Sequence, residues 1–424
     1  MSEKFMLTED VRKRWEPVLN EESAPKFADT HRKNVTTIML ENTLRDLQEN
    51  NAGTVGFATG APAQATDASY DPVLISMVRR AMPSLVAHDL VGVQPMTGPT
   101  GLIFAMKSWY SANATGTEAL HKTIDTAYSG KYTTANAEAL GRANEVDATS
   151  ASTSEPVVQS APWNEMSFSI EKISVAAQSR ALKARYTDEL AQDLRALHGL
   201  DAAAELSNIL SSEIVAEINR EMVSLVFDQA KPTGVSGAAT DVFTTGGNVI
   251  DTVDLAVGAD FDGRWEKEQL QNLMLFLNKV SMDIAKDTRR GVGNVIITNP
   301  TLAGALEMVG RVERDVIITG LNQIDMVGVT YMGVLNGRWK LFVDPYMPND
   351  DVIVGYKGST PYDAGYFYCP YVPMSMMRSR GEEDFQPRMG VKTRYGVVHN
   401  PFVSGNSHEN SYFRKFRVLN IPGA

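Results

Sequence analysis

A chain of 424 residues, 43% of them hydrophobic, has the apolar material for a substantial core and the length for two or more domains. Its formal net charge of −11 argues against dedicated nucleic-acid binding, because that affinity rests on Lys and Arg neutralising phosphates. One cysteine, Cys369, rules out an intrachain disulfide framework; no uncharged apolar run approaches the roughly 18 residues of a membrane span, and the N-terminus "MSEKFMLTEDVRKRW" is too charged for a secretory signal.

Residues 8–50 read as two helices. Thr8 is placed to cap "EDVRKRWE", which Pro17 is expected to limit, and a run from about Thr30 brings Val35, Ile38, Met39, Leu44 and Leu47 close to one stripe. "NNAGTVGFATGAPAQATDAS" has small residues and turn formers without a period and reads as an arm or linker. Pro72 fits the first position of a helix carrying Val73, Met77, Val78 and Met82, which Pro83 breaks or kinks. After the Pro- and Gly-rich "GVQPMTGPTG", the run "GLIFAMKSWY" alternates, with Leu102, Phe104 and Met106 on one face of a strand. A second alternating run, "WNEMSFSIEKISVAAQS", sets Met166, Phe168 and Ile170 on one face and then changes parity to Ile173 and Val175, which predicts a bulge or twist near Lys172. The intervening residues 111–162 are rich in Ala, Ser and Thr and hold only Leu120, Ile124, Leu140, Val146, Val157 and Val158 as Leu, Ile or Val. Such a segment cannot build its own core, so the strand pair is expected to be an extended arm that leaves the body and lies on something else.

Downstream, Leu190, Leu194 and Leu197 form a short helical stripe, with Gly199 as C-cap and Asp201 as the next N-cap. A long helix is predicted from there, its Leu206, Leu210, Ile214, Ile218, Met222 and Val226 spaced by four, as the spine of the body. Another helix carries Leu270, Leu273, Leu277, Val280 and Ile284. Then strands take over: "NVIITNP", ending in a turn; a hairpin "VGVTYMGVLNGRWKLFVDP" with Asn336-Gly337 at its tip; "DDVIVGYKG"; "AGYFYCPYVP"; and the extended "VKTRYGVVHNPF". Helices early, mixed sheet later and no regular βαβ alternation give an α+β fold in two lobes.

No motif carries chemistry. The six histidines stand in neither HExxH nor a Cys/His metal spacing and read as surface or capping residues; Gly291 and Gly293 precede a strand and read as a turn. Asp350-Asp351 and Glu382–Asp384 have the composition of solvated turns, and Tyr366, Tyr368 and Tyr371 are at the spacing of sheet packing. Arg79-Arg80 flanks an apolar helix and reads either as a solvated face or as a charge-paired contact with a neighbouring subunit. No catalytic, metal or cofactor-binding residue is assigned.

Eight strings, in order over residues 77–402, resemble the major capsid protein of T-even-type tailed bacteriophages: "MVRRAMPSLVAHDLVGVQPMTGPTG", "WNEMSFSIEK", "SRALKARYTDELAQDLRALHGLDAAAEL", "EINRE", "GVLNGRWKLFVDPY", "VGYKG", "DAGYFYCPYVP" and "FQPRMGVKTRYGVVHNPF". The resemblance implies the Hong Kong ninety-seven type capsid fold. It divides the chain into N-terminal helices and arm, with a segment processed during assembly (1–69), a peripheral-domain helix and hinge (70–102), an extended loop (103–170), a peripheral domain with spine helix (171–289), an axial domain (290–375), and a return to the peripheral domain (376–424). It also implies cleavage after a Glu preceded two residues earlier by an aliphatic residue. Leu47-Gln48-Glu49 fits and Met39-Leu40-Glu41 fits less well, making Glu49 the candidate processing site, although Asn follows both where a small residue is usual. T-even relatives carry an inserted domain in the extended loop, and the core-poor excursion here is expected to lack it.

The expected function is structural: hexamers that close into a head shell in the virion around packaged double-stranded DNA, assembled in the host cytoplasm without a catalytic step or cofactor. Scaffold, vertex, portal and decoration proteins are the expected partners, with no membrane and no specific DNA binding. Arg79, Arg80, Trp109 and Tyr110 are the candidate inter-subunit contacts. A pentameric vertex protein on the same fold, an encapsulin-type compartment and a soluble oligomeric hydrolase are the alternatives.

Overall fold

The computed structural model describes residues 9–19, 30–52, 85–111, 117–119, 124–126, 128–129, 165–233, 243–245, 248–255, 265–310, 312–313, 329–347, 349–360, 362–381, 383–403 and 406–421. The first helix, α1 (Glu9–Leu19), runs two residues past Pro17. Trp15 and Leu19 are both buried, and the Trp15 indole donates to Glu41 Oε2 at 3.0 Å, so tertiary anchoring carries the helix beyond its expected limit. α2 (Thr30–Ala52) buries Val35, Ile38 and Met39 as the stripe predicts, with Leu40 beside them. The predicted helix from Pro72 and the kink at Pro83 lie outside the described residues. The short α3 (Ala87–Leu90) leads into β1 (Gly92–Val93).

The Pro/Gly stretch then turns the chain into β2 (Thr100–Trp109), which pairs antiparallel with β3 (Ser167–Ala176) in unbroken register from Thr100↔Ala176 to Trp109↔Ser167. The predicted bulge near Lys172 is therefore absent. The parity change arises because the ribbon's two faces carry apolar groups at different heights: Ile103, Ile173 and Val175 near the base on one face, Phe104, Met106, Phe168 and Ile170 further out on the other.

β4 (Gln178–Arg185) precedes α4 (Asp188–His198), which Thr187 caps at its start and Gly199 ends in the left-handed region at φ 67°. The spine helix α5 (Ala202–Gln229) opens at Asp201, whose carboxylate accepts from the Ala203 N–H at 3.2 Å, and it buries Leu210, Ile214, Ile218, Met222 and Val226. After β5 (Ala230–Pro232), β6 (Phe243–Thr245) and β7 (Asn248–Asp254) comes α6 (Glu266–Thr288), with Leu273, Leu277, Val280 and Ile284 fully enclosed. β8 (Val295–Thr298) does not end in a simple turn: Asn299 accepts from the Leu302 N–H at 2.9 Å and Pro300 occupies the first turn of α7 (Pro300–Val309). The same Asn-Pro pair that reads as a turn thus starts a helix.

β9 (Val312–Glu313) is followed by the hairpin β10 (Thr330–Leu335) and β11 (Trp339–Val343). Asn336 and Gly337 take φ 52° and 68° at its tip, as the Asn-Gly signal predicts. β12 (Asp351–Gly355), β13 (Tyr366–Arg380), β14 (Pro387–His399) and β15 (Asn410–Leu419) complete the chain. In β13 the register shifts at Pro370/Val372 and again before Ser375, where Pro370 and Pro373 cannot donate to the ladder.

Two sheets result. A four-stranded one has the order β1-β13-β14-β4; a nine-stranded one runs β6-β7-β15-β12-β8-β11-β10-β9, with β5 also on β15. The larger sheet draws β5, β6, β7 and β15 from outside residues 290–375. One core packs the spine helix, α1, α2 and α3 against strands of both sheets; a second packs α6 and α7 on the larger sheet, with Phe276 edge-on to Phe416 at 5.0 Å.

Two polar positions depart from the sequence reading, and a third stands in a strand which that reading leaves out. Asp351 is buried rather than solvated, held by Arg417 through Nε–Oδ1 at 2.6 Å and Nη2–Oδ2 at 3.2 Å. His88 is buried as well, and burial, helped by Arg32 and Lys357, pushes its pKa down to about 3. On β15, Lys415 is fully enclosed and donates to the Phe227 carbonyl near the end of the spine helix at 2.9 Å.

Candidate functional site

The arm formed by β2 and β3 is built so that each face has a different fate. At its base, Ile103 and Val175 are buried among Met96, Phe367, Cys369 and Val398, which fixes the ribbon to the four-stranded sheet. On the other face Leu102, Phe104, Met106, Phe168 and Ile170 are 54–68% exposed, a row of large apolar side chains facing solvent. Register places Met106 directly opposite Ile170, and Ser108 opposite Phe168, so the exposed groups form one continuous strip. Burying such side chains is worth about 1–2 kcal/mol each, and contiguous strips of this kind mark protein contact surfaces.

The distal end is closed from within. Trp109 Nε1 donates to Ser169 Oγ at 2.7 Å, the Tyr110 ring lies 4.7 Å from that of Tyr128, and Tyr128 donates to the Glu165 carbonyl at 2.5 Å. Lys107 and Glu171 pair across the strands at 2.7 Å. The two aromatic candidates, Trp109 and Tyr110, therefore make contacts inside the arm and hold its outer end together. Arg79 and Arg80 lie outside the described residues. Glu49 sits in the last turn of α2, on helical backbone.

A second uncovered surface lies beside the spine helix. The predicted stripe of α4 exists, yet none of its residues is buried: Leu190 is 49% and Leu197 79% exposed, Leu200 just after the helix is 45% exposed, and Ile209 of the spine helix is 59% exposed. Periodicity identified both surfaces as apolar faces; what it could not give was which of them the chain's own core would leave open.

The rest of the polar structure reads as bracing. Arg180 of β4 donates to Tyr395 of β14 at 2.5 Å and to Glu217 and Glu221 of the spine helix at 3.0 and 2.8 Å, tying sheet to helix. Burial, and then Glu221, raises the Tyr395 pKa. Arg290 meets Asp363 at 3.0 Å, and the same carboxylate accepts from Tyr356, whose pKa burial and Asp363 together push up to about 12. Cys369 is buried and its thiol is likewise raised to about 12, the reverse of what a nucleophile needs. Among the described residues no group of three or more His, Cys, Asp or Glu is placed to hold a metal ion. Tyr366 and Tyr368 are buried in the core, as sheet packing requires.

The family model described as major capsid protein Gp23 matches residues 67–418. The chain is 34% identical to the major capsid protein of Vibrio phage KVP40, over 97% of this chain and 100% of that protein. It is 31% identical to the major capsid protein of Enterobacteria phage T4, over 97% and 99%. The T4 capsid vertex protein is more distant, 26% identical over 56% of this chain and 53% of its own length. The alignment with the KVP40 protein runs over 522 positions, well beyond the 424 residues here, so that relative carries segments with no counterpart in this chain. Among solved structures, the capsid of Myoviridae phage XM1 aligns with 79% of this chain and 92% of its own at 10% identity, with a TM-score of 0.41. With the family model spanning most of its length and full-length relatives above 30% identity, the chain belongs to the Gp23 major capsid protein family: a structural, non-enzymatic protein of the α+β phage-capsid fold that forms the head shell of the virion.

Proposed function

We propose that the chain assembles as hexamers that close into a shell around double-stranded DNA, with the β2–β3 arm of each subunit lying on its neighbour. The observation that carries this reading is the strip Leu102, Phe104, Met106, Phe168 and Ile170, large exposed apolar groups on an arm whose base is packed into its own subunit. A contact between two different patches, repeated head to tail, closes into a ring when the rotation is right, and many weak contacts then hold ring to ring. The uncovered apolar face of α4 is the natural receiver, because none of its residues is buried within the subunit and none belongs to the cluster at the arm's base. An acidic balance suits a wall that encloses DNA without gripping it. Vertex, portal and decoration proteins, and a scaffold during assembly, complete the proposed partner set.

Within this reading residues 1–69 form the N-terminal arm, 103–170 the extended loop, and Glu49 the processing site. Cutting there requires the last turn of α2 to open, while the buried Val35, Met39 and Leu40 hold the rest of the helix in place.

The double substitution Phe104→Lys and Ile170→Lys tests the proposal. Both side chains are exposed in the subunit, so its circular dichroism should be unchanged, whereas electron microscopy should show no shells and mass photometry no rings. Normal shells from this variant would sink the arm contact.

A further inference from the structure

Between the start of α2, the turn α3, the beginning of β11 and the segment after β12 lies a cleft of about 430 Å³. Three cations line it from three separate elements: Arg32 of α2, Lys340 of β11 and Lys357 after β12. Asp89 is the one carboxylate among the lining residues. It accepts from Arg32 at 2.7 Å and from Lys340 at 2.9 Å, while Lys357 donates to the backbone carbonyl of His88. The side chains of Arg32 and Asp89 are each 25% exposed and that of Lys340 is 49% exposed, so the surplus of positive charge gathers at a partly buried site, and it occurs in a chain whose formal net charge is −11. Like charges gathered at low exposure are costly unless an opposite charge joins them.

The geometry points to an oxyanion site: we propose that this cleft takes a phosphate group carried by a small molecule. Arg32 uses one nitrogen on Asp89, and a guanidinium presents five N–H donors in a fork suited to phosphate; Lys340 spends one ammonium hydrogen of three. Ser359 and Thr360 are also among the lining residues, and their hydroxyls are of the kind that donates to an oxyanion. The volume falls in the range of small-molecule pockets, larger than a bare phosphate fills and smaller than a DNA duplex could enter. Because the cleft joins the N-terminal helix to the larger sheet, an occupant would tie the two together. The site is independent of the arm and of the assembly reading.

The test is titration of inorganic phosphate into the full-length chain by calorimetry and thermal melting, with ionic strength held constant by chloride. A saturable response is expected, weakened roughly tenfold in Lys340→Gln, which loses one charge-assisted donor yet leaves Asp89 paired with Arg32. Asp89→Asn should tighten binding, since it removes the competing carboxylate. A response that never saturates and is the same in all three proteins is the general stabilisation that phosphate gives by exclusion from protein surfaces, and it would overturn the site. Wild-type saturation decides the matter even if a variant fails to fold: its absence ends the proposal. A short DNA duplex that displaces phosphate would place the phosphate on DNA and overturn the small-molecule assignment.

Discussion

At the scale of single residues, charge and burial combine in ways that set the protein's response to pH. His88 has an ordinary value of 6.5 and is pushed down to about 3 in the folded chain, first by burial and then by Arg32 and Lys357. Between those values the unfolded chain binds the proton and the folded chain does not, so this histidine's contribution is fully present above pH 6.5 and is lost as pH falls toward 3. Its size is on the order of 5 kcal/mol across the whole window. His88→Asn should flatten the decline in urea-unfolding midpoint between pH 6.5 and 5.5, where ordinary carboxylates are still almost fully ionised. An unchanged slope would show that other groups govern acid sensitivity. The sequence could not reveal this role: "AHDL" looks like any polar helix end, and only the packing of α2 and the Lys357 segment around it removes the water.

At the scale of elements, the spine helix shows how sequence period and burial correspond. Ile218 is 3% exposed and faces the core, whereas Ile209, two and a half turns earlier on the same helix, is 59% exposed. Ile218→Ala should cost about 2–5 kcal/mol in unfolding free energy through lost transfer and the cavity left behind, and Ile209→Ala within about 0.5 kcal/mol in the unassembled subunit. Equal losses would mean that α4 and this end of the spine are packed in the free subunit. The caps were legible because Thr187, Gly199 and Asp201 act within a few residues of themselves. β15 was not, since "SYFRKFRV" sets three cations into a strand that belongs at the centre of a sheet. They are accommodated only because distant groups meet them: Asp287 and the Pro232 carbonyl for Arg414, Phe227 for Lys415, and Asp351 for Arg417.

At the scale of the whole molecule, the segment beyond the arm's packed base is expected to be the part that the subunit's own core does not require. Replacing Ser111–Gln159 by a short Gly/Ser turn should leave the helical circular dichroism signal intact, because the segment removed is poor in large apolar side chains and a shorter loop costs less to close. Shell formation should be lost, as read by electron microscopy. Loss of helical signal would assign the segment to the subunit's core, and normal shells would show it is dispensable for assembly. The amino-acid sequence by itself determined the local order of this protein: the caps, the spine helix with its buried stripe, the Asn336-Gly337 turn, the alternating strands of the arm and, through eight strings, the family. Those features are set by neighbours within a few residues or by inheritance, and so they can be read in one dimension. Only the tertiary structure decided which apolar faces are covered, how β15 enters the larger sheet between β7 and β12, and why His88, Asp351 and Lys415 are buried. Each depends on groups far apart in the chain arriving at one place, and burial is a property of that meeting rather than of any residue alone.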